Sequence, residues 1–212
     1  MSYIRTFCVN SLRECMYVLS SENGGCVIVD PGCQNGHERA RVDEYIETAG
    51  LKPECVLLTH AHFDHVLSVA HFALKWNIPA VMNYADLGLL TRLPAYAQLF
   101  GLEYMPMDGV EFRYVSDGEL LDYGGFSFRV ITTPGHTAGG VCYLEEEEKL
   151  VFTGDTLFQN NIGRTDFEES SEEDMFDSLE KLKRLDPQTE VFPGHGESTT
   201  IADELKHNPF MR

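Results

Sequence analysis

The chain has 212 residues, of which 43% are hydrophobic and 24% are charged, and its formal net charge is −18 at pH 7. This length and composition are typical of one globular domain, so a single domain over residues 1–212 is predicted. An acidic surface repels nucleic acid and anionic lipid, which disfavours both as partners but leaves a small anionic substrate open.

Residues 1–105 are predicted to fold into strands followed by alternating helices and strands. Asn23-Gly24-Gly25 predicts a hairpin between two apolar runs. Pro94 lies inside a helical pattern and predicts two pieces or a kink. The predicted strands cover 3–9, 15–20, 26–29, 56–59 and 78–82, and the predicted helices cover 38–49, 65–76 and 84–100.

Residues 106–212 repeat this β-rich and α-containing order, so two similar halves are predicted. Helices are predicted at 171–185 and 201–207. The predicted strands lie within 109–131 and at 140–144, 149–153 and 190–192.

The compartment is predicted to be the cytoplasm. No apolar run approaches the roughly 20 residues that span a bilayer. Arg13 and Glu14 interrupt the N-terminal apolar stretch, which argues against a signal peptide. The six cysteines lack Cys-x-x-Cys spacing and are typical of reduced structural thiols.

Residues Thr59 to His65 read Thr-His-Ala-His-Phe-Asp-His and follow a predicted strand. Imidazole and carboxylate groups ligate transition metals. Residues two apart point to nearly opposite sides of a helix but to one side of an extended segment. The spacing of His60, His62 and Asp64 therefore predicts an extended metal-binding loop. A helix N-cap is the alternative role for Asp64.

Three later loops repeat this design, because each follows a strand-like run, turns at a glycine and presents one ligand-type residue. Five of the eight histidines fall in the four loops. The seven candidate ligands are His60, His62, Asp64, His65, His136, Asp155 and His195. Seven ligands exceed the four of one tetrahedral site, so two divalent metals are predicted. Asp155 stands alone on its loop and is the best bridge between them. Zinc is the first expectation, with iron and manganese as alternatives.

The order Thr59-His-x-His-x-Asp-His65, then His136, Asp155 and His195, resembles the metallo-β-lactamase superfamily. The resemblance implies an α/β fold, a four-layer αββα sandwich of two mixed β-sheets flanked by helices, with the metals at one edge. Asp30 matches a position that orients the ligands. The resemblance also implies that one metal is held by His60, His62, His136 and Asp155, and the other by Asp64, His65, His195 and Asp155.

Two further segments, Gly154-Asp-Thr-Leu-Phe158 and Gly163-Arg-Thr-Asp166, resemble the glyoxalase II (hydroxyacylglutathione hydrolase) branch, especially its short single-domain bacterial members. The resemblance places Arg164 near the glycine carboxylate of glutathione; an ion pair to Asp166 or Glu168 is the alternative. Glu197 and Asp166 replace two tyrosines of that branch. Longer members carry a C-terminal helical domain that helps bind glutathione, whereas only 17 residues follow His195 here. The metal chemistry is expected to carry over, and glutathione specificity stays open.

The resemblance implies a binuclear hydrolase in which a metal-bound hydroxide, oriented by Asp64, attacks a small-molecule thioester such as an acylglutathione. Three alternatives stand beside it: an iron oxidoreductase like the persulfide dioxygenases, a lactonase or other ester hydrolase, and a metal-binding protein without catalysis. β-Lactam hydrolysis is disfavoured, because the secreted enzymes carry signal peptides and commonly a cysteine ligand. The acyl group and the oligomeric state are left open.

Overall fold

The N-terminal half of the chain forms one mixed sheet in the computed structural model, which describes residues 2–212. Its six strands lie in chain order. The first three are antiparallel and the later neighbours are parallel. The strands are β1 (Tyr3–Val9), β2 (Glu14–Ser20), β3 (Gly25–Val29), β4 (Lys52–Leu57), β5 (Ala80–Met82) and β6 (Phe112–Tyr114).

The C-terminal half forms a second mixed six-stranded sheet and a separate two-stranded hairpin. The sheet strands are β7 (Leu120–Tyr123), β8 (Phe126–Thr132), β9 (Val141–Glu145), β10 (Leu150–Gly154), β13 (Glu190–Pro193) and β14 (Thr199–Thr200), and the hairpin strands are β11 (Leu157–Phe158) and β12 (Asn161–Ile162). Their order in the sheet is β14-β13-β10-β9-β8-β7. The two predicted halves match the two sheets except at β6, which lies after residue 105 but pairs with β5 in the first sheet.

Helices cover the outer face of each sheet. They are α1 (Gly36–Thr48), α2 (Phe63–Val66), α3 (Val69–Trp76), α4 (Leu87–Phe100), α5 (Glu172–Leu182) and α6 (Ile201–His207). Ile46 of α1 and Phe72 of α3 belong to the core on the first sheet, and Leu179 of α5 belongs to the core on the second. A third core, which includes Leu57 and Phe152, lies between the sheets. The predicted αββα sandwich is confirmed.

Most predicted boundaries shift by one to four residues, and three elements differ in a way that has a local structural reason. β4 begins at Lys52 and includes Pro53, which a register irregularity against β3 accommodates. The predicted helix 65–76 is divided into α2 and α3. The helical stretch 84–100 breaks at Asp86, where a 3-10 turn ends, while α4 continues through Pro94.

The state of the cysteines and the lengths of the helices complete the description of the fold. All six cysteines lie within residues 2–212 and are free; Cys8 is exposed and the other five are buried. Over the same residues, no helix combines the length and apolar character needed to cross a membrane.

Candidate metal centre

The four predicted ligand loops meet at one edge of the sandwich because of strand direction. β8 and β10 are both antiparallel to β9, and β13 is parallel to β10, so all three end at the same edge of the second sheet. The loops that carry His136, Asp155 and His195 follow these ends. The N–H of Val141 donates to the carbonyl of Thr59 at 2.8 Å and joins the first sheet to this edge.

The Thr59–His65 stretch is extended only as far as His62. His62 has φ −65° and ψ 148°, and α2 begins at Phe63. The predictions that Asp64 lies in an extended loop or caps a helix are therefore wrong, because Asp64 lies within the first helical turn. Because the backbone changes from extended to helical, the side chains of the motif divide between two groups of ligand atoms.

Two groups of ligand atoms result, and within each group the atoms lie within 4.8 Å of one another. One group contains His60, His62 and His136, and the other contains Asp64, His65 and His195. A further combination of Asp30 with His60 and His65 meets the same distance limit. Asp30, however, already accepts hydrogen bonds from Thr59.

Asp155 lies between the two groups. Its Oδ2 is 3.4 Å from His136 Nε2, and its Oδ1 is 3.4 Å from His65 Nε2. Asp155 Oδ2 also lies 3.8 Å from His195 Nε2, so the carboxylate faces residues of both groups, as a bridging ligand does. Gly194 permits this approach, because a Cβ there would collide with Asp155 Oδ1 and lie 2.6 Å from His65 Cε1.

Hydrogen bonds behind the ligands hold the imidazole rings. Asp30 accepts from the Thr59 N–H at 2.7 Å and from its hydroxyl at 2.6 Å, and faces His65 Nδ1 at 3.1 Å. The Thr59 hydroxyl also lies 3.1 Å from His60 Nδ1. His136 Nδ1–H donates to the carbonyl of Arg164 at 2.8 Å. In each of these three rings Nδ1 is held by a hydrogen bond and Nε2 is left to ligate a metal.

The charge states of the ligands follow from burial and neighbouring groups. Burial, and then the imidazoles of His65 and His62, hold the pKa of His60 well below its usual value, so its ring is neutral. Burial opposes ionisation of Asp64, but His65 and a hydrogen bond from His195 hold its pKa at about 2. Burial likewise opposes protonation of His65, while the carboxylates of Asp155 and Asp64 raise its pKa to about 9. A cation bound here replaces that proton.

Unsatisfied buried atoms show that the residues fit a cation. Within the described chain, His60 Nε2, His65 Nε2 and Asp155 Oδ1 are buried without a hydrogen-bond partner. Such atoms are rare in folded proteins because desolvation without a partner is costly. Imidazole and carboxylate donors at these positions suit a divalent transition metal, with zinc, iron and manganese all compatible.

Three acidic residues near the centre had not been predicted. Asp86 is buried and accepts from the N–H of Ala61 at 3.0 Å, from the Thr137 hydroxyl at 2.8 Å and from the N–H of Gly139 at 2.6 Å. Glu169 Oε1 lies 3.2 Å from His62 Nε2. Burial, and then Asp30, raise the pKa of the fully buried Glu14 well above its usual value. None of the three has a distinguishing spacing in the sequence.

A cleft of about 560 Å³ lies over the centre, and five of the seven candidate ligands line it. Arg164 also lines this cleft. Its Nε and Nη2 donate to the two carboxylate oxygens of Asp166, both at 2.8 Å. The structure thus shows the ion pair that was the alternative to substrate binding by Arg164.

Comparisons with known proteins agree on one family. The family model described as the metallo-beta-lactamase superfamily matches residues 14–195. The chain is 36% identical over 206 residues to the probable metallo-hydrolase YqgX of Bacillus subtilis strain 168, covering 96% of this chain and 94% of that protein. It is also 36% identical over 205 residues to the hydroxyacylglutathione hydrolase GloC of Haemophilus influenzae, covering 94% and 92%.

Solved structures share the same fold. BLEG-1, a B3 metallo-beta-lactamase, superposes with a TM-score of 0.89 at 31% identity and 99% coverage of both chains. TTHA1623 in a di-iron-bound form superposes with a TM-score of 0.84 at 34% identity, covering 97% of this chain and 99% of that one.

Proposed function

The chain belongs to the metallo-β-lactamase superfamily, and from this membership we propose that it hydrolyses thioesters of small thiols, with S-acylglutathiones the first class to test. The observation that carries the proposal is the pair of three-residue ligand groups separated by Asp155 beneath an open cleft. The likeness to a hydroxyacylglutathione hydrolase along nearly the whole chain supports the choice of thioester.

The proposed ligand sets follow the two groups. His60, His62 and His136 would hold one divalent cation, Asp64, His65 and His195 would hold the other, and Asp155 lies where it could contact both. When bound, such cations polarise a carbonyl group and lower the pKa of water toward neutrality. Zinc is the proposed metal; the likeness to a protein with a di-iron-bound form makes iron the alternative.

The chain's own residues prepare the substrate and the attacking water. The ionised carboxylate of Asp64 lines the cleft and can accept a hydrogen bond from water, which orients the water's oxygen toward the acyl carbon. Asp30 and the carbonyl of Arg164 hold His65 and His136 against rotation. Addition of water and cleavage of the C–S bond release a carboxylic acid and a thiol.

Two other reactions have specific support. Iron would favour the oxygenation of a persulfide, the first alternative from the sequence. The likeness to a B3 metallo-β-lactamase adds β-lactam hydrolysis to the panel of reactions, although the sequence disfavours it. Hydrolysis of a lactone and metal binding without turnover are the remaining alternatives.

We also propose a reducing compartment, the cytoplasm, for this protein. Six free cysteines, one of them exposed, support this location. Fractionation of cells alongside a cytoplasmic marker enzyme tests it.

The decisive experiment combines metal analysis with turnover. Protein purified without added metal is analysed for zinc, iron and manganese, and is then assayed on S-lactoylglutathione, a lactone, a persulfide with oxygen uptake, and a β-lactam. We expect two metals per chain and thioester hydrolysis as the fastest reaction. If fully metal-loaded protein turns over none of these compounds, the proposed hydrolysis is refuted and a metal-binding role without catalysis is favoured.

Matched histidine variants identify the site. His62→Ala should lose metal and reduce kcat/KM at least 100-fold. His71→Ala removes a half-buried histidine that contacts Asp43 outside the cleft, and this variant should keep its metal content and its kcat/KM. An H62A protein with full metal content and full hydrolysis would refute the assignment.

A further inference from the structure

One wall of the cleft over the metal centre is aromatic. The ring of Phe63 lies 6.0 Å from that of Tyr96 and 5.5 Å from that of Phe100, with interplanar angles of 23° and 19°. Tyr96 and Phe100 are nearly parallel at 6.3 Å. Phe63 precedes the ligand Asp64, and the other two rings project from the last turns of α4.

A further aromatic ring touches the ligands themselves. The ring of Phe167 lies edge-on to His62 at 5.4 Å and to His136 at 5.8 Å. Phe100 is 56% exposed and Phe167 is 37% exposed. Exposed aromatic rings gathered around a cleft mark a site that buries an apolar group.

The charges of the cleft disfavour an anionic group. Among the described residues that line it, Arg164 is the one Lys or Arg, and its Nε and Nη2 donate to the carboxylate of Asp166, which neutralises its charge. Its guanidinium also lies 4.5 Å from the centroid of the Phe167 ring. The other non-ligand charged residue in the lining is Glu169. A free carboxylate placed here would compete with Asp166 for the one guanidinium in the lining.

A second cleft of about 520 Å³ begins on the other side of His195. Leu12 and His195 line both clefts, so the two spaces meet beside the metal centre. The second cleft is lined by Arg13, Glu197 and Ser198. In residues 2–212, neither Arg13 nor Glu197 forms an ion pair. The apolar cleft and this more polar cleft therefore meet at His195, beside the metal centre.

We propose that the substrate is a thioester of an apolar carboxylic acid, with a medium-chain or aromatic acyl group against Phe63, Tyr96 and Phe100 and a polar thiol half in the second cleft. This inference rests on the proposed thioester hydrolysis. Cellular carrier thiols are polar and charged, so the thiol half of the substrate does not suit the apolar cleft. The apolar cleft therefore fits the acyl half. Water adds to the acyl carbon, the C–S bond breaks, and the sulfur leaves as a thiol after taking up a proton.

The test varies the acyl chain on one constant thiol. Metal-loaded enzyme is assayed on butanoyl and octanoyl N-acetylcysteamine thioesters. Each buried methylene should raise kcat/KM about threefold, which gives on the order of 100-fold across four methylenes. The non-hydrolysable S-octyl thioether should also inhibit at a lower concentration than the S-butyl thioether.

Matched variants assign the preference to the aromatic wall. Phe100→Ala removes an exposed ring and should reduce the octanoyl-to-butanoyl ratio of kcat/KM about tenfold. Tyr3→Ala removes a ring that is 59% exposed and does not line the cleft, and should leave the ratio unchanged.

The outcomes separate this inference from the proposed function. Equal kcat/KM for the two thioesters, equal inhibition by the two thioethers, or an unchanged ratio in F100A would overturn the apolar acyl group and leave thioester hydrolysis standing. Absence of hydrolysis with either thioester and with S-lactoylglutathione would overturn both.

Discussion

Asp86 joins two of the ligand loops, and its removal should weaken both the fold and the metal site. Its Oδ2 accepts from the N–H of Ala61, which lies between His60 and His62, and from the Thr137 hydroxyl, next to His136. Its Oδ1 accepts from the N–H of Gly139. The side chain is almost fully buried, so no water replaces it readily. In Asp86→Ala, three buried hydrogen-bond donors would lose their acceptor.

The expected loss of stability follows from these three donors. Each buried donor left without a partner costs about 1–3 kcal/mol, and removal of the buried charge recovers part of that sum. We expect the free energy of unfolding of D86A to fall by about 3–5 kcal/mol. Asp117 offers a matched control, because it accepts from the N–H of Thr132 at 2.7 Å and from its hydroxyl at 2.9 Å in an exposed position. D117A should lose no more than about 1 kcal/mol, since water satisfies the freed donors.

Two measurements check this reasoning. Urea unfolding of metal-free protein, followed by circular dichroism, reports stability without the contribution of bound metal. Competition with a chelator then reports metal affinity, which should fall about 10- to 100-fold in D86A. If D86A proves too unstable to purify, D86N retains one acceptor oxygen and should show a smaller loss of both quantities. Losses in D86A no greater than those in D117A, with unchanged metal affinity, would refute the proposed link between the loops.

Three shorter predictions concern the sheets, the metals and the charge of the cleft. The buried Tyr143 hydroxyl lies 2.9 Å from the carbonyl of Leu58 and 3.3 Å from that of Val81, on the opposite sheet. Tyr143→Phe should lower the free energy of unfolding by about 1–2 kcal/mol in urea; an unchanged midpoint would contradict this. Added zinc should raise the melting temperature of wild-type protein more than that of His62→Ala, and equal shifts would contradict binding at this site. Asp166→Asn frees Arg164 and should raise the ratio of kcat/KM for a succinyl thioester to that for the octanoyl thioester. The expected increase is only about twofold, because exposed ion pairs are weak. An unchanged ratio would contradict the neutralising role of Asp166.

The sequence patterns were sufficient to nominate the seven residues that the structure brings together, and the family resemblance of these motifs implied the αββα sandwich. Strand-like runs that end at glycines before His136, Asp155 and His195 are local signals, since hydrophobic periodicity and turn chemistry depend on neighbouring residues. Strand ends lie at sheet edges, so residues far apart in the chain could be assigned to one edge. The family resemblance supplied the pairing of the sheets, which periodicity does not contain.

The family resemblance implied how the opening motif divides its side chains, but only the tertiary structure showed the helical turn that produces this division. The extended backbone places His60 and His62 with His136, the helical turn that begins at Phe63 places Asp64 and His65 with His195, and four residues of helix are too short to leave a periodic signal. The role of Asp86 was equally hidden, because its three partners come from two distant loops. The aromatic wall needs Phe63 and the end of α4 to pack together across more than thirty intervening residues. Ligand types are a property of local sequence, whereas the environment that selects a substrate depends on long-range packing, which has no fixed spacing along the chain.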